Sequence, residues 1–329
     1  MIFALVLFGC STFSAPVRTS ASTAVIPTAT KIAATSTPTR TLEPYDAYTI
    51  DYLRQRTYGG GKIEVVKKIS ESRLFTSYAI RYPSDGLTIY GFMNIPKGRG
   101  TFPVIVSVHG YSLPGKYDPF NVSQDSADYL AENRFIVVHP GLRNHRPSDM
   151  GDNLLRVGMT IDVMNLIALL KQKNDLPVEL SNADVEMFGL WGTSMGGEIA
   201  LRVLTISPDI QATVLYAPLS GDIERNSKQL FDALRDPQFQ EDAQLPLEML
   251  DRVSPMYYYH TVTSAVQLHH GTADAVAPLA WAEETCELLH SAGVFVRCIY
   301  YKDAGHYFSE DTNEKLRWNA LKFYRAQLR

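Results

Sequence analysis

Val185-Glu186-Met187-Phe188-Gly189-Leu190-Trp191-Gly192-Thr193-Ser194-Met195-Gly196-Gly197 is the stretch on which the reading of this chain turns. Val185 to Leu190 is a short apolar run with the pattern of a buried strand, and Gly196 to Ile206 reads as a helix. Between them Gly192, Ser194 and Gly196 fit G-x-S-x-G. The pattern alone is weak, because Gly and Ser are common. Set directly between a strand and a helix it is specific: a tight turn forces backbones together on both sides, and the central Ser is pushed out at the sheet edge beside a helix N-terminus that favours negative charge. The plainer alternative is a glycine-rich strand-to-helix turn without chemistry.

Outward from this turn the chain alternates. Val104 to Val108 and Phe135 to Val138 are short β-branched runs, as expected of strands buried on both faces, with a helix at Ser123 to Asn133 between them. Asn153 to Lys173 carries apolar residues at helical spacing. After the turn come a strand at Ala212 to Tyr216, a strand at Ala265 to His269, a helix at Pro278 to Ala292, a strand at Phe295 to Tyr301 and a closing helix at Thr312 to Leu328. Ser220 to Tyr259 has no strand pattern and reads as a helical insertion that shapes the pocket. Upstream, a short lead-in at Tyr45 to Tyr58 precedes three strand-like runs, Ile63 to Ile69, Leu74 to Tyr82 and Leu87 to Ile95, an antiparallel entry to the sheet with a turn at Pro83-Ser84-Asp85-Gly86. The expected architecture is a doubly wound, mostly parallel α/β sheet with right-handed crossovers. Ligands bind such sheets beyond the carboxyl ends of the strands.

A serine hydroxyl is a poor nucleophile without a base and a group to orient that base. His269-His270-Gly271-Thr272-Ala273-Asp274 follows one downstream strand, and Asp303-Ala304-Gly305-His306 follows the next. Both would emerge at the same sheet edge as Ser194, so Asp274 and His306 are the candidate acid and base. Asp303 is the rival acid, better suited to stabilising a loop. His269 and His270 read as loop supports, and His260 as a surface or lining residue. A tetrahedral intermediate also needs two backbone N–H donors, each worth about 2.7 to 4 kcal/mol of barrier. Met195 follows the nucleophile and supplies one; Tyr111, in the loop His109-Gly110-Tyr111 after Val104 to Val108, is the candidate for the other, with His109 and Gly110 supporting that loop. Arg143, His145 and Arg146 face the same edge and read as solvated loop charges rather than substrate contacts. The sequence has no metal-ligand spacing, phosphate loop or dinucleotide fingerprint, so no cofactor or metal is expected.

The chain has 329 residues, 45% of them hydrophobic, which suits one large domain with a short appendage. With 31 Lys plus Arg against 35 Asp plus Glu and no block of like charge, nothing points to nucleic acid. Residues 1–10 are apolar up to Cys10 and too short to span a bilayer, which takes about 20 residues. Leu7-Phe8-Gly9-Cys10 resembles a bacterial lipobox, which makes Cys10 the lipidation candidate. Residues 11–44, dominated by Ser, Thr, Ala and Pro, read as a disordered tether to a domain at 45–329. The expectation is an exported protein held to the membrane only by an N-terminal lipid, on the extracytoplasmic side, or else secreted. There Cys286 and Cys298 could pair, or remain two separate buried thiols.

With these residues in hand, the chain from about Leu74 to Arg329 resembles the catalytic domain of the prolyl oligopeptidase family and, more distantly, the dienelactone hydrolases. The likeness rests on Ile89-Tyr90-Gly91-Phe92-Met93-Asn94-Ile95-Pro96, on Pro103-Val104-Ile105-Val106-Ser107-Val108-His109-Gly110, on Gly192-Thr193-Ser194-Met195-Gly196-Gly197, on His270-Gly271-Thr272-Ala273-Asp274 and on Gly305-His306. It implies the α/β-hydrolase fold, a triad of Ser194, Asp274 and His306, an oxyanion site at Met195 and Tyr111, and acyl transfer on a short peptide or a small ester. No β-propeller is expected before Leu74, and that propeller is the family's basis for selecting peptides; an esterase is therefore the competing expectation. An acyltransferase and a catalytically silent binding protein are the remaining alternatives.

Overall fold

Nine strands form one sheet in the order β1-β2-β3-β5-β4-β6-β7-β8-β9 in the computed structural model, which describes residues 45–112, 117, 119, 124–235, 239–240, 242 and 244–329. The lipobox-like segment, Cys10 and the tether lie outside the described residues. Three N-terminal strands, β1 (Glu64–Glu71), β2 (Phe75–Ser84) and β3 (Leu87–Pro96), run antiparallel, and β3 joins β5 (Ile136–Pro140) antiparallel as well. The other neighbours are parallel: β4 (Phe102–Val108), β6 (Ala183–Thr193), β7 (Ile210–Tyr216), β8 (Ala265–Gly271) and β9 (Val296–Tyr301). This is the doubly wound sheet expected from the alternation. The entry turn is tighter than the sequence suggests. Pro83 and Ser84 still pair with Thr88 and Leu87, so Asp85 and Gly86, with φ of 49° and 83°, make a two-residue hairpin of the kind that Asp-Gly favours.

The central strands bury both faces because helices cover both, while the edge strands β1 and β9 stay partly exposed. On one face Val104, Val106, Ile136, Val138 and Leu190 pack with α3 (Val157–Leu170), α4 (Met195–Ile206) and α7 (Leu279–Ser291). On the other, Ile105, Val137 and Trp191 pack with α2 (Gln124–Glu132) and α8 (Glu310–Gln327). A short α1 (Ile50–Gln55) precedes the sheet, and the insertion carries α5 (Ile223–Leu234) and α6 (Leu247–Val253).

Helix α3 differs from the amphipathic helix its spacing predicts: every residue but Ala168 is buried. Its polar side is satisfied internally. Asp162 accepts from Arg143 Nη2 at 2.7 Å and from Ser84 Oγ at 2.6 Å, and Thr160 Oγ1 accepts from Arg202 Nη1 at 3.0 Å. Arg143 and His145 are therefore buried rather than solvated, which corrects the sequence reading; Arg146 is exposed as expected. A second buried network joins α4 to the insertion: Glu198 accepts from Arg156, Arg202 and Asn226, and Arg156 also pairs with Asp242 at 3.2 Å.

Cys286 in α7 and Cys298 in β9 are joined in a disulfide, which settles the choice between pairing and separate thiols. The strand order changes direction at β4, with β5 on one side and β6 on the other, so the crevice sits where β4 and β6 end.

Candidate active site

Strand β6 ends at Thr193 and α4 begins at Met195, leaving Ser194 alone at the turn with φ 53° and ψ −116°. Such a conformation costs a non-glycine residue about 1–3 kcal/mol and persists only where its surroundings over-determine it. Here they do. Ser194 N–H donates to Tyr216 O at 2.9 Å, and Ser194 O accepts from Gly197 N–H at 2.8 Å and Leu219 N–H at 3.2 Å. Glycine is required at 196 because a Cβ there would stand 2.2 Å from Val108 O, and at 192 because one would stand 2.5 Å from Gly196 O.

The structure brings the three sequence-selected side chains into one chain of contacts. His306 Nε2 lies 2.9 Å from Ser194 Oγ, and His306 Nδ1 lies 2.8 Å from Asp274 Oδ2. Asp274 sits in the exit loop of β8, where its Oδ1 accepts from Val276 N–H and Ala277 N–H, both at 2.9 Å. Burial pushes its carboxyl up, but the hydrogen bonds from His306 and Ala277 outweigh this and hold it below the usual carboxylate range. An ionised Asp274 commits the Nδ1–H of His306 and turns the Nε2 lone pair toward Ser194. Asp303 is exposed and its backbone N–H is held by Thr272 Oγ1 at 2.8 Å, so it is outside this chain of contacts. His270 bonds Ala277 O at 2.8 Å and His269 bonds Tyr301 Oη at 2.9 Å, each as a support within its layer. His260 is exposed.

The loop after β4 abuts the nucleophile: a Cβ on Gly110 would be 3.3 Å from Ser194 Cβ. His109 is fully buried and holds this loop through Nδ1 against Gly110 O at 2.7 Å. Its ring lies 4.8 Å from His145 and 5.5 Å from His139, and His139 stacks on Phe92 at 4.8 Å. Burial depresses these imidazoles, His139 to about 3, and repulsion from His145 and His139 lowers His109 further. The first turn of α4 places Met195, and the same pocket is lined by Gly110 and Tyr111.

A cavity of about 430 Å³ opens above Ser194 and His306. Its outer walls come from α2, with Asp125 and Ser126, from Tyr307 and Phe308, and from α8, with Asn313 and Arg317. Among the described residues none of the insertion lines it directly; Phe239 backs the lining residue Tyr111 at 5.8 Å and Asp242 joins the ion network of Arg156. Sequence reasoning missed these wall residues because α2 and α8 carry no motif. It also missed Tyr216, although its place as the last residue of a strand at the same edge was a usable signal.

A family model described as chlorophyllase matches residues 58–225, just over half of the chain, and one described as the prolyl oligopeptidase family matches residues 175–328, which contain Ser194, Asp274 and His306. Chloroplastic chlorophyllase-1 of Citrus sinensis is 32% identical over 127 residues, covering 38% of this chain and 35% of that protein, so the chain spans about a third of the length of this curated relative. Among solved structures, acylaminoacyl peptidase of Pyrococcus horikoshii superposes with a TM-score of 0.61 at 20% identity over 78% of this chain and 42% of that one. Acetyl xylan esterase 1 of Thermoanaerobacterium sp. JW/SL YS485 does so with a TM-score of 0.57 at 18% identity over 86% and 94%. These likenesses establish the α/β-hydrolase fold. With a strained serine at the strand-to-helix turn, a histidine in reach of its hydroxyl and a family match across just over half of the chain, the protein belongs to the chlorophyllase family.

Proposed function

We propose that the chain hydrolyses a small carboxylic ester through an acyl-enzyme on Ser194. The observation that carries this is the continuous Ser194–His306–Asp274 contact, at 2.9 and 2.8 Å, opening onto a pocket. His306 Nε2 takes the hydroxyl proton as Ser194 Oγ attacks the acyl carbon. The oxyanion is met by the N–H groups of Met195 and Tyr111. The leaving alcohol departs with the proton from Nε2, and water attacks the acyl-enzyme by the same base to release the acid. Asp274 stays ionised and steadies the imidazolium.

An ester is favoured by membership of the chlorophyllase family and by the likeness to a structure named as an acetyl xylan esterase. A short peptide is the second reading, because the prolyl oligopeptidase model takes in all three of these residues. A panel of acetyl, butyryl and aryl esters against peptide anilides separates the two. A fluorophosphonate probe labels wild-type protein at Ser194 and leaves Ser194→Ala unlabelled. Folded wild-type protein that neither labels nor turns over any activated ester overturns the proposal. Added acceptor alcohols reveal an acyltransferase by its product.

We also infer export with a lipid at Cys10, from the apolar run ending in Leu7-Phe8-Gly9-Cys10 and the polar stretch after it. The Cys286–Cys298 disulfide supports an oxidising compartment. Incorporation of an alkyne fatty acid in cells, lost in Cys10→Ala, is the expected result, and absence of label in the wild type sinks the inference.

A further inference from the structure

We propose that the hydroxyl of Tyr216 is a positioning group for catalysis, pinning the backbone that carries His306 to the same residue that pins the nucleophile turn. The inference rests on the Ser194–His306 chemistry proposed above. Tyr216 closes β7, the strand beside β6, and its parallel partner across the sheet is Thr193, the residue before Ser194. Its main-chain carbonyl accepts the Ser194 N–H at 2.9 Å. Its phenol then reaches the other way: Oη donates to His306 O at 3.2 Å and accepts from Phe308 N–H at 2.9 Å. One neutral phenol has both capacities.

The loop needs this anchor. Its upstream end is tied to the exit of β8, through Asp303 N–H to Thr272 Oγ1 at 2.8 Å and Ala273 N–H to Ala304 O at 2.9 Å. Its downstream end enters α8, where Asn313 Nδ2 donates to Phe308 O at 3.2 Å. Between these, the hydrogen bonds to the backbone of His306 and Phe308 run to the Tyr216 hydroxyl. The ring is fixed by packing on Phe308 at 4.6 Å, and Phe308 in turn meets Tyr301 at 4.9 Å. Burial raises the phenol above its ordinary range, so it stays protonated wherever His306 works as a base. Tyr216 thus measures the distance between Oγ and Nε2 with a rigid six-membered ring, where a loop held at its ends alone would let the imidazole drift. A misplacement of about 1 Å can cost about 100-fold in rate.

The test is Tyr216→Phe, which keeps the ring and its packing and removes only the hydroxyl. Active sites are counted by fluorophosphonate titration, so loss of folded protein does not enter the rate. Expected per site are a kcat about 10- to 100-fold lower on p-nitrophenyl acetate with KM within about two-fold, phosphonylation slowed by the same factor, and a broadened or shifted downfield proton resonance from His306 Nδ1. Tyr301→Phe is the control, since it removes a hydroxyl of the same aromatic layer that serves His269 and not the loop; its kcat per site should match the wild type. Wild-type kcat and labelling rate in Tyr216→Phe overturn the inference, as does an equal loss in Tyr301→Phe, which would assign the effect to packing. A wild type that fails to label at all refutes the proposed chemistry itself, a different outcome.

Discussion

Lowering the pH from 7 to 5 should destabilise this protein through histidines that are buried in their neutral form. Burial holds His139 and His269 to about 3, against an ordinary 6.5, and holds His109 well below that value. A histidine depressed in the folded state binds its proton first in the unfolded state. Stability is therefore full above the unfolded value, near 6.5, and falls as pH drops toward the folded one. Each such residue contributes a slope of about 1.4 kcal/mol per pH unit, and a shift from 6.5 to about 3 is worth roughly 5 kcal/mol across the whole window. His139 and His269 together approach about 3 kcal/mol per pH unit near pH 5, with His109 acting in the same direction, against the roughly 5–15 kcal/mol that a domain possesses in all. Asp274 acts in another window: its depressed carboxyl contributes above the unfolded carboxylate value and is lost only in stronger acid. Urea denaturation at intervals between pH 7 and pH 5 reads the slope directly. His139→Phe, which keeps the stacking on Phe92 and removes an imidazole whose Nδ1 has no hydrogen-bond partner among the described residues, should lower the slope by about one proton's worth. A midpoint that does not move over this range would falsify the claim that these rings are buried and neutral.

Asp274→Asn, by leaving His306 without an ionised partner for Nδ1, should reduce kcat by about 10⁴-fold with little change in KM, measured on an activated ester. Ester hydrolysis should be far less affected in Asp303→Asn, whose side chain is exposed. Gly196→Ala should abolish activity and soluble expression together, since its Cβ would sit 2.2 Å from Val108 O; an active, well-folded alanine variant would contradict the turn geometry. Removing the disulfide by the double change Cys286→Ser and Cys298→Ser opens a closure of sequence separation 12 and should cost about 3 kcal/mol in chemical denaturation. Arg156→Met should destabilise by about 3–5 kcal/mol, because it leaves Asp242 in the interior without its ion-pair partner and takes one of three partners from Glu198, and combining it with Asp242→Asn should recover part of that loss.

Much of this molecule is legible in one dimension because its decisive signals are local. Glycines two residues to either side of Ser194, an apolar strand before it and a helix after it require nothing beyond neighbouring residues to be recognised, and the same holds for the alternation that predicts the sheet. The exits of β8 and β9 could be read in the same way, which is why Asp274 and His306 stood out before their contact distances were known. What three dimensions decided are the contacts between residues far apart in the chain. Arg143 looked solvated because a charge is normally left in water, and only the carboxylate of Asp162, brought alongside by α3, makes its burial tolerable. Among the described residues the outer pocket walls come from α2 and α8, since the order of strands, and not any motif, sets which helix overhangs the crevice. Tyr216 carries no signature of its own; its two-sided role exists because adjacent parallel strands set its carbonyl beside Ser194 and its phenol beneath the loop of His306. Sequence determines the local conformations that aim each reactive group, and the packing of the sheet determines which of them meet.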